Sequence, residues 1–537
     1  MAHTLIDISN SRMKRTITYL LSFVLVSLSS TNIIAQTDNK DLVAKVPHTT
    51  TFPGIEGATY PYASPESLGF KSEAFEALTD SVVNWVVKNQ IMGAEFMIVK
   101  DEKIVLHESV GWSDYERNIP LERNSIFNIR SMAKPFLSTS ILMLQEEGKL
   151  NVEDKVSKHL VSFDNEKSRN ITIRQLLTHT AGYEHQGFAK PRNEYENLAD
   201  VVNDIGINGP QFEPGNRYVY SDAGSSVLGA LIAHLSEMPL EDFIQQRIMD
   251  KIGMTDTYTA FTKTSYWASR VNSNYLWSKE DSTFTKFWDN TQDHFWTYYR
   301  GSAGMFSTML DYSIFLNTWM KKGQNRDVRL LSEKSVELAL QSYAANKYGF
   351  QWYNKNPVGS ESMPITFGHG GSDGTFAYAF PESNTMVFYF TQSRGHNQTV
   401  KFFRLISELG IMSTSKLVSW IYDAAPSLPL IRALDVRLIQ NINQLIGHYK
   451  TPESAKDQFE MTIRIENGKL RFKDDFTGGY LIPIEENVFA PAKYHEDEGL
   501  FEYEDKVRFR FTIANGEISG IKVAFEGGVD VFNKMKD

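Results

Sequence analysis

Cysteine is absent from all 537 residues. Disulfides, a thiolate nucleophile, Fe–S clusters and cysteine zinc sites are therefore excluded, and nucleophilic chemistry falls to Ser, Thr, Lys or a carboxylate. A basic excess is missing too. The 55 Lys and Arg against 65 Asp and Glu leave a net charge of −10, without the positive footprint of a phosphate-backbone partner, so no nucleic acid is expected. The chain carries no P-loop, no dinucleotide fingerprint and no H-E-x-x-H zinc pattern around His179 or His185, so no cofactor and no metal are expected. Long apolar runs are confined to the N-terminus.

That terminus reads as a secretory signal. Met13-Lys14-Arg15 is a basic n-region, residues 18–28 are apolar but short for a membrane span, and Ala35 stands at a cleavage position. Residues 1–36 are thus expected to be removed, with Met1 or Met13 as start, leaving an exported, periplasmic or secreted protein without a stable membrane span. The whole chain is 42% hydrophobic and 22% charged, ordinary for a globular protein, and too long for one core.

Hydrophobic periodicity divides the rest. Residues 37–62 are polar and aperiodic, a linker. Residues 64–89 have a helical pattern after a capping signal at Ser64, and 93–112 are two β-rich runs around a turn. A helix runs from near Ser131 to Gly148, and 149–345 mix helical pieces with loops. Strands at 374–383 and 384–392 precede a helix at 400–410. Two hairpins flanking a largely helical insertion predict an α/β (α+β) domain over 63–410. Its single antiparallel sheet draws on both chain ends, with helices on its faces and a helical region beside it. Residues 411–443 read as a connector broken by Pro426 and Pro429. Beyond it, 444–537 carry Asn-Gly between β-rich runs at 459–472 and 507–525, a separate small all-β domain, sandwich or barrel.

Three short elements carry chemistry. In NIRSMAKPF (128–136), Ser131 and Lys134 are three apart at a helix start and share one face. A lysine whose pKa is lowered can deprotonate a serine, and the helix N-terminus offers free N–H groups to an oxyanion. Alone, S-x-x-K arises by chance and reads first as an N-cap serine with a solvated lysine. In FEPGNRYVYSDAGSSVLG (212–229), Tyr220-Ser221-Asp222 precedes a small-residue helix start. A tyrosine near an ammonium can have its pKa lowered towards catalytic use. In TFGHGGSDGTFAYAF (366–380), a glycine-rich turn runs into a strand, where substrate can lie against backbone. Gly370-Gly371-Ser372-Asp373-Gly374 also fits G-x-S-x-G, the elbow of α/β-hydrolases. That elbow needs a helix after the serine, and here a strand follows.

Taken in this order, S-x-x-K, Y-S-[ND] and H-x-G resemble the serine β-lactamase and penicillin-binding-protein superfamily: class C β-lactamases, DD-carboxypeptidases and family VIII esterases. ITIRQLLTHTAGY (171–183), LNVEDKVSKHL (150–160), the "GSAG" helix at 301–323 and YGFQWY (348–353) agree with it, over about residues 60–410. The resemblance implies a β-lactamase/transpeptidase-like fold and Ser131 as the nucleophile that forms an acyl-enzyme. Lys134 and Tyr220 share its proton, Ser131 and Ser372 lend oxyanion-hole N–H groups, and Asp222, His369, Gly370 and Gly371 line the substrate site.

Two departures lean away from β-lactam hydrolysis. Asp222 replaces the usual Asn and favours protonated Lys134; His369 stands where many relatives have Lys, removing a cation that grips a substrate carboxylate. Esters, D-amino-acid peptides and amides remain open, with a small molecule or peptide as partner and true β-lactamase activity as the alternative. A catalytically idle peptidoglycan-fragment-binding protein is the rival on the same fold, and the intact Ser131, Lys134 and Tyr220 argue against it. An exported scaffold working through its β-domain is the other rival. The aromatic-rich stretch 265–299 suits either a pocket wall or packing within an insertion.

Overall fold

The computed structural model describes residues 45–535 except 216–217, 295–297, 344–347, 356–362, 413–429, 433–441, 456–457, 467–468, 475–477, 486–487, 496–499, 504–506, 515 and 526–527. The expected signal segment and most of the expected connector lie outside the described residues.

Strands β1 (His48–Thr49), β2 (Gly93–Lys100), β3 (Lys103–Asp114), β4 (Tyr353–Lys355), β5 (Thr366–Gly371), β6 (Thr375–Phe380) and β7 (Thr385–Thr391) form one antiparallel sheet. Their order is β1-β3-β2-β7-β6-β5-β4, with Ile119–Pro120 folded back on β3. The two chain ends meet where Ala94 pairs with Thr391 and Lys100 with Thr385. Asp101 and Glu102 both take positive φ, 50° and 57°, the backbone that lets a two-residue turn follow the twist of its strands.

The sheet is covered on both faces, which explains the unbroken apolar run of β7. Met386, Phe388 and Phe390 point into a core shared with helix α2 (Lys134–Glu146), α3 (Asp222–Ser236) and α4 (Met309–Met320). Val387 and Tyr389 point the other way, onto α1 (Ser72–Val87) and α5 (Thr399–Glu408), against Phe75, Leu78, Phe402 and Phe403. The period of two thus buries both sets. Phe136, fully buried on α2, stacks on Phe315 of α4 with ring centroids 3.8 Å apart. Phe136→Ala is expected to destabilise the fold by about 3–5 kcal/mol, because the cavity between two long helices cannot collapse. Urea unfolding of the variant checks this; a loss below about 1 kcal/mol would show that the helices close the gap.

The structure departs from sequence expectation in several places. Ser64 does not cap α1; it precedes a 3₁₀ turn, Pro65–Leu68, which Gly69 ends at φ 83°. Helix α1 starts at Ser72, whose N–H donates to the Glu66 carboxylate at 3.2 Å. Part of the expected linker is the edge strand β1, held because Thr51 and His48 bond Glu108 on β3. The "GSAG" residues 301–304 are loop, and helix α4 begins only at Met309 because Thr308 caps it. The H-x-G segment is itself strand β5 rather than a turn before one. Within 265–299, Asn274–Ser278 and Thr283–Trp288 form a hairpin. Trp267 and Trp288 pack there with Phe261 and Phe306 in a small separate core, so these aromatics serve packing.

Residues after Gly447 form an all-β barrel. Gly447–Lys450, Glu460–Glu466, Lys469–Asp474, Gly478–Glu485, Val488–His495, Arg508–Ala514, Glu517–Phe525 and Gly528–Lys534 pair in turn as antiparallel neighbours. The ring closes where Tyr449 pairs with Lys534. Tyr449, Phe472, Phe489, Phe509, Phe511 and Phe532 pack together in its core, matching an interior that side chains can fill.

Candidate active site

Ser131 lies in a 3₁₀ turn, Arg130–Ala133, that runs directly into α2. The helix is buried along its first two turns, so Lys134 is held with none of its surface exposed while Ser131 stays half-buried. Lys134 Nζ has three oxygen partners: Asp222 Oδ1 at 2.7 Å, the Ser302 carbonyl at 3.0 Å and Ser131 Oγ at 3.3 Å. An ammonium can donate to all three. A neutral amine can donate to Asp222 and Ser302 and turn its lone pair to the Ser131 hydroxyl. Burial pulls the Lys134 pKa down and Asp222 pulls it up, with a net shift below the ordinary lysine range. Desolvation of the buried cation thus outweighs the opposing pull of Asp222.

The second element is positioned by a helix cap. Ser221 is the N-cap of α3, its hydroxyl accepting from Gly224 N at 3.2 Å. That puts Asp222 in the first helical turn, facing Lys134, and leaves Tyr220 just outside the helix. Lys134 Nζ sits 4.8 Å from the centre of the Tyr220 ring. The Tyr220 phenol is pushed well above its ordinary value by burial and then by Asp222, opposed only by a hydrogen bond with Ser131. This reverses the expectation that Lys134 would lower it: the site is dry, and the carboxylate beside it penalises a phenolate. Tyr220 stands as a neutral phenol.

His369 is also buried, on β5. Its Nδ1 donates to the Gly370 carbonyl at 2.9 Å, so Nε2 carries the lone pair and accepts from the Tyr348 hydroxyl at 3.4 Å. His179 has the opposite tautomer. The Ser221 N–H donates to its Nδ1 at 3.2 Å, so Nε2–H donates to Tyr348 Oη at 3.1 Å. One oriented chain thus runs from Ser221 N–H through His179 and Tyr348 to His369. Desolvation keeps both rings neutral, with His369 down to about 3 and His179 well below its ordinary value. His179 also lies 4.5 Å from the Tyr220 ring, centroid to centroid. The His-Tyr chain joins the Tyr220 segment to β5, and sequence reading missed it. The signal was the placement of His179 inside 171–183 and of Tyr348 at the head of 348–353.

Ser372 is exposed in the turn between β5 and β6. Gly374 closes that turn at φ 105°, its N–H donating to Gly371 O at 2.9 Å. Strand, turn and strand surround this serine, so the G-x-S-x-G match is not a nucleophile elbow. Gly371 is needed for approach: a Cβ there would stand 2.5 Å from the Ile129 carbonyl. Strand β5 can therefore lie against the chain just before Ser131. The structure brings Ser131, Lys134, Tyr220 and Asp222 together, and brings β5, with His369, Gly370 and Gly371, alongside. Such an arrangement offers a nucleophilic hydroxyl, a buried amine and a neutral phenol beside an open strand end.

Comparison with known proteins gives the same order of elements a lineage. The family model described as Beta-lactamase matches residues 73–404. Protein flp of Staphylococcus aureus (strain NCTC 8325 / PS 47) is 26% identical over 283 residues, 50% of this chain and 54% of flp. The chain thus spans about half the length of that relative. A protein of Escherichia coli (strain K12), named provisionally as a D-alanyl-D-alanine carboxypeptidase, is 24% identical over 396 residues, 64% of this chain and 88% of its own. Among solved structures, the octameric penicillin-binding protein homologue from Pyrococcus abyssi is 19% identical with a TM-score of 0.57. It covers 86% of this chain and 100% of its own, a likeness of fold. With that model spanning well over half of its length, the chain belongs to the beta-lactamase family.

Proposed function

We propose that this is an exported serine hydrolase that cleaves esters or the amide bonds of D-amino-acid peptides through an acyl-enzyme on Ser131. The observation that carries this reading is the placement of Lys134 Nζ, fully buried and 3.3 Å from Ser131 Oγ. Lys134, as the neutral amine, takes the Ser131 proton while Oγ bonds to the carbonyl carbon. The backbone N–H groups of Ser131 and Ser372 receive the resulting oxyanion. Collapse breaks the bond to the leaving group, which takes its proton from the Lys134 ammonium with the Tyr220 phenol as hydrogen-bonding partner between them. A water then gives a proton to Lys134 while its oxygen bonds to the carbonyl carbon; collapse breaks the bond to Ser131 Oγ, which takes the proton back from the Lys134 ammonium, and the acid leaves. The carboxypeptidase name of the Escherichia coli relative supports the peptide substrate.

His369 is neutral and both its nitrogens are engaged, so β5 offers no cation at this position to grip a β-lactam carboxylate. A panel of p-nitrophenyl esters, D-Ala-D-Ala peptides, D-amino-acid amides and nitrocefin, run on wild type and Ser131→Ala, tests the proposal. Ester or D-peptide turnover that vanishes in Ser131→Ala is expected, with nitrocefin slower by at least about tenfold, one RT ln 10 of barrier. Nitrocefin as the best substrate would make the protein a β-lactamase; no Ser131-dependent turnover and no labelling of Ser131 would favour an idle binding protein.

A further inference from the structure

Asp373 follows Ser372 and is buried, 1% exposed. Its carboxylate takes three donors: Arg130 Nε on Oδ2 at 2.6 Å, Arg394 Nε on Oδ1 at 2.6 Å and Asn274 Nδ2 on Oδ2 at 3.0 Å. Each of these donors comes from a different part of the fold. Arg130 is the residue before Ser131, Arg394 follows β7, and Asn274 begins the hairpin of the insertion. Arg394 also donates from Nη2 to Ser372 Oγ at 3.0 Å. Arg130 is buried and adopts φ 50°, a left-handed conformation that a residue other than glycine adopts uncommonly.

The sequence position of these contacts matters. The peptide group between Arg130 and Ser131 supplies the Ser131 N–H, and the one between Gly371 and Ser372 supplies the Ser372 N–H. Asp373 grips the residue before the first amide and is itself the residue after the second amide's serine. One carboxylate therefore ties the two peptide groups to each other across 243 residues of chain.

We infer that Asp373 is a positioning residue for the oxyanion hole: with Arg130 and Arg394 it sets the spacing of the Ser131 and Ser372 N–H groups. This rests on the proposed acyl transfer at Ser131. Its consequence is specific, because a hole held at the wrong width binds the tetrahedral state poorly while leaving the planar ground state nearly untouched.

The test is Asp373→Asn, which keeps the shape and an acceptor for Asn274 but removes the charge that holds both arginines. On the ester that wild type turns over best, kcat is expected to fall about 10- to 100-fold with KM within about twofold, a part of the loss seen when an oxyanion donor is deleted. Affinity for an arylboronic acid, whose tetrahedral adduct on Ser131 imitates the oxyanion, should fall by the same factor as kcat/KM. Arg394→Gln, which leaves the Arg130 pair intact, should move both quantities together by a smaller factor, and it serves if circular dichroism shows Asp373→Asn unfolded. The inference is overturned if kcat stays within twofold, or if kcat/KM falls while boronate affinity does not. Fluorophosphonate labelling of wild-type Ser131 separates the two levels. If Ser131 is labelled and Asp373→Asn is unimpaired, only the positioning role fails; if Ser131 is never labelled, the acyl-enzyme reading fails with it.

Discussion

Ser131→Ala is expected to abolish covalent labelling and to lower kcat/KM by several orders of magnitude, as loss of a nucleophile does. Ser372→Ala is the matched control. It removes a hydroxyl that accepts one exposed bond from Arg394 but keeps its backbone N–H, so a loss of about tenfold or less is expected, roughly 1.4 kcal/mol of transition-state stabilisation. The two serines imply different folds. Ser131 opens a turn that becomes a helix, whereas Ser372 sits between two antiparallel strands with no helix behind it. Mass spectrometry of a fluorophosphonate adduct decides between them. A label on the Ser372 peptide, with Ser131→Ala still active, would replace the present account.

Lys134→Ala should be as damaging as Ser131→Ala, and the double variant no worse than either, because the pair acts as one unit. Lys134→Arg keeps a cation for Asp222 yet cannot give up its proton; it too should be inactive, which separates a base from a mere counter-charge. The pH dependence follows from the same geometry. Burial lowers the Lys134 pKa and Asp222 raises it, so the rate rises with pH as the ammonium loses its proton. Asp222→Asn removes the anion that favours the ammonium; the Lys134 pKa drops further, and the acid limb of kcat/KM should move to lower pH. A limb that moves upward, or a Lys134→Arg variant with more than about one-hundredth of wild-type activity, would exclude Lys134 as the base.

Much of the fold is written in local pattern. The β-rich runs in 93–112 and 374–392 and the helical pattern in 400–410 each correspond to an observed element, since residue preference and turn signals act locally whatever covers the element. The order S-x-x-K, Y-S-D, H-x-G likewise marks the residues that the fold brings together. Helix starts were less legible. Ser64 looks like a cap, but the αL turn at Gly69 restarts the chain and the Glu66 side chain takes over.

Composition and motif therefore determined by themselves what chemistry is open to this protein: no thiol, no phosphate loop, and a serine with a lysine one helical turn away. Its protonation states were decided only by the tertiary structure. Lys134 and Tyr220 are shifted chiefly by desolvation, and desolvation is set by the side chains that other elements pack over a group, not by its neighbours in sequence. The same holds for the tautomer of His179, which is set by the Ser221 N–H from a segment 42 residues away. It holds for Asp373 as well, an ordinary loop aspartate in the sequence whose partners arrive from 21, 99 and 243 residues away.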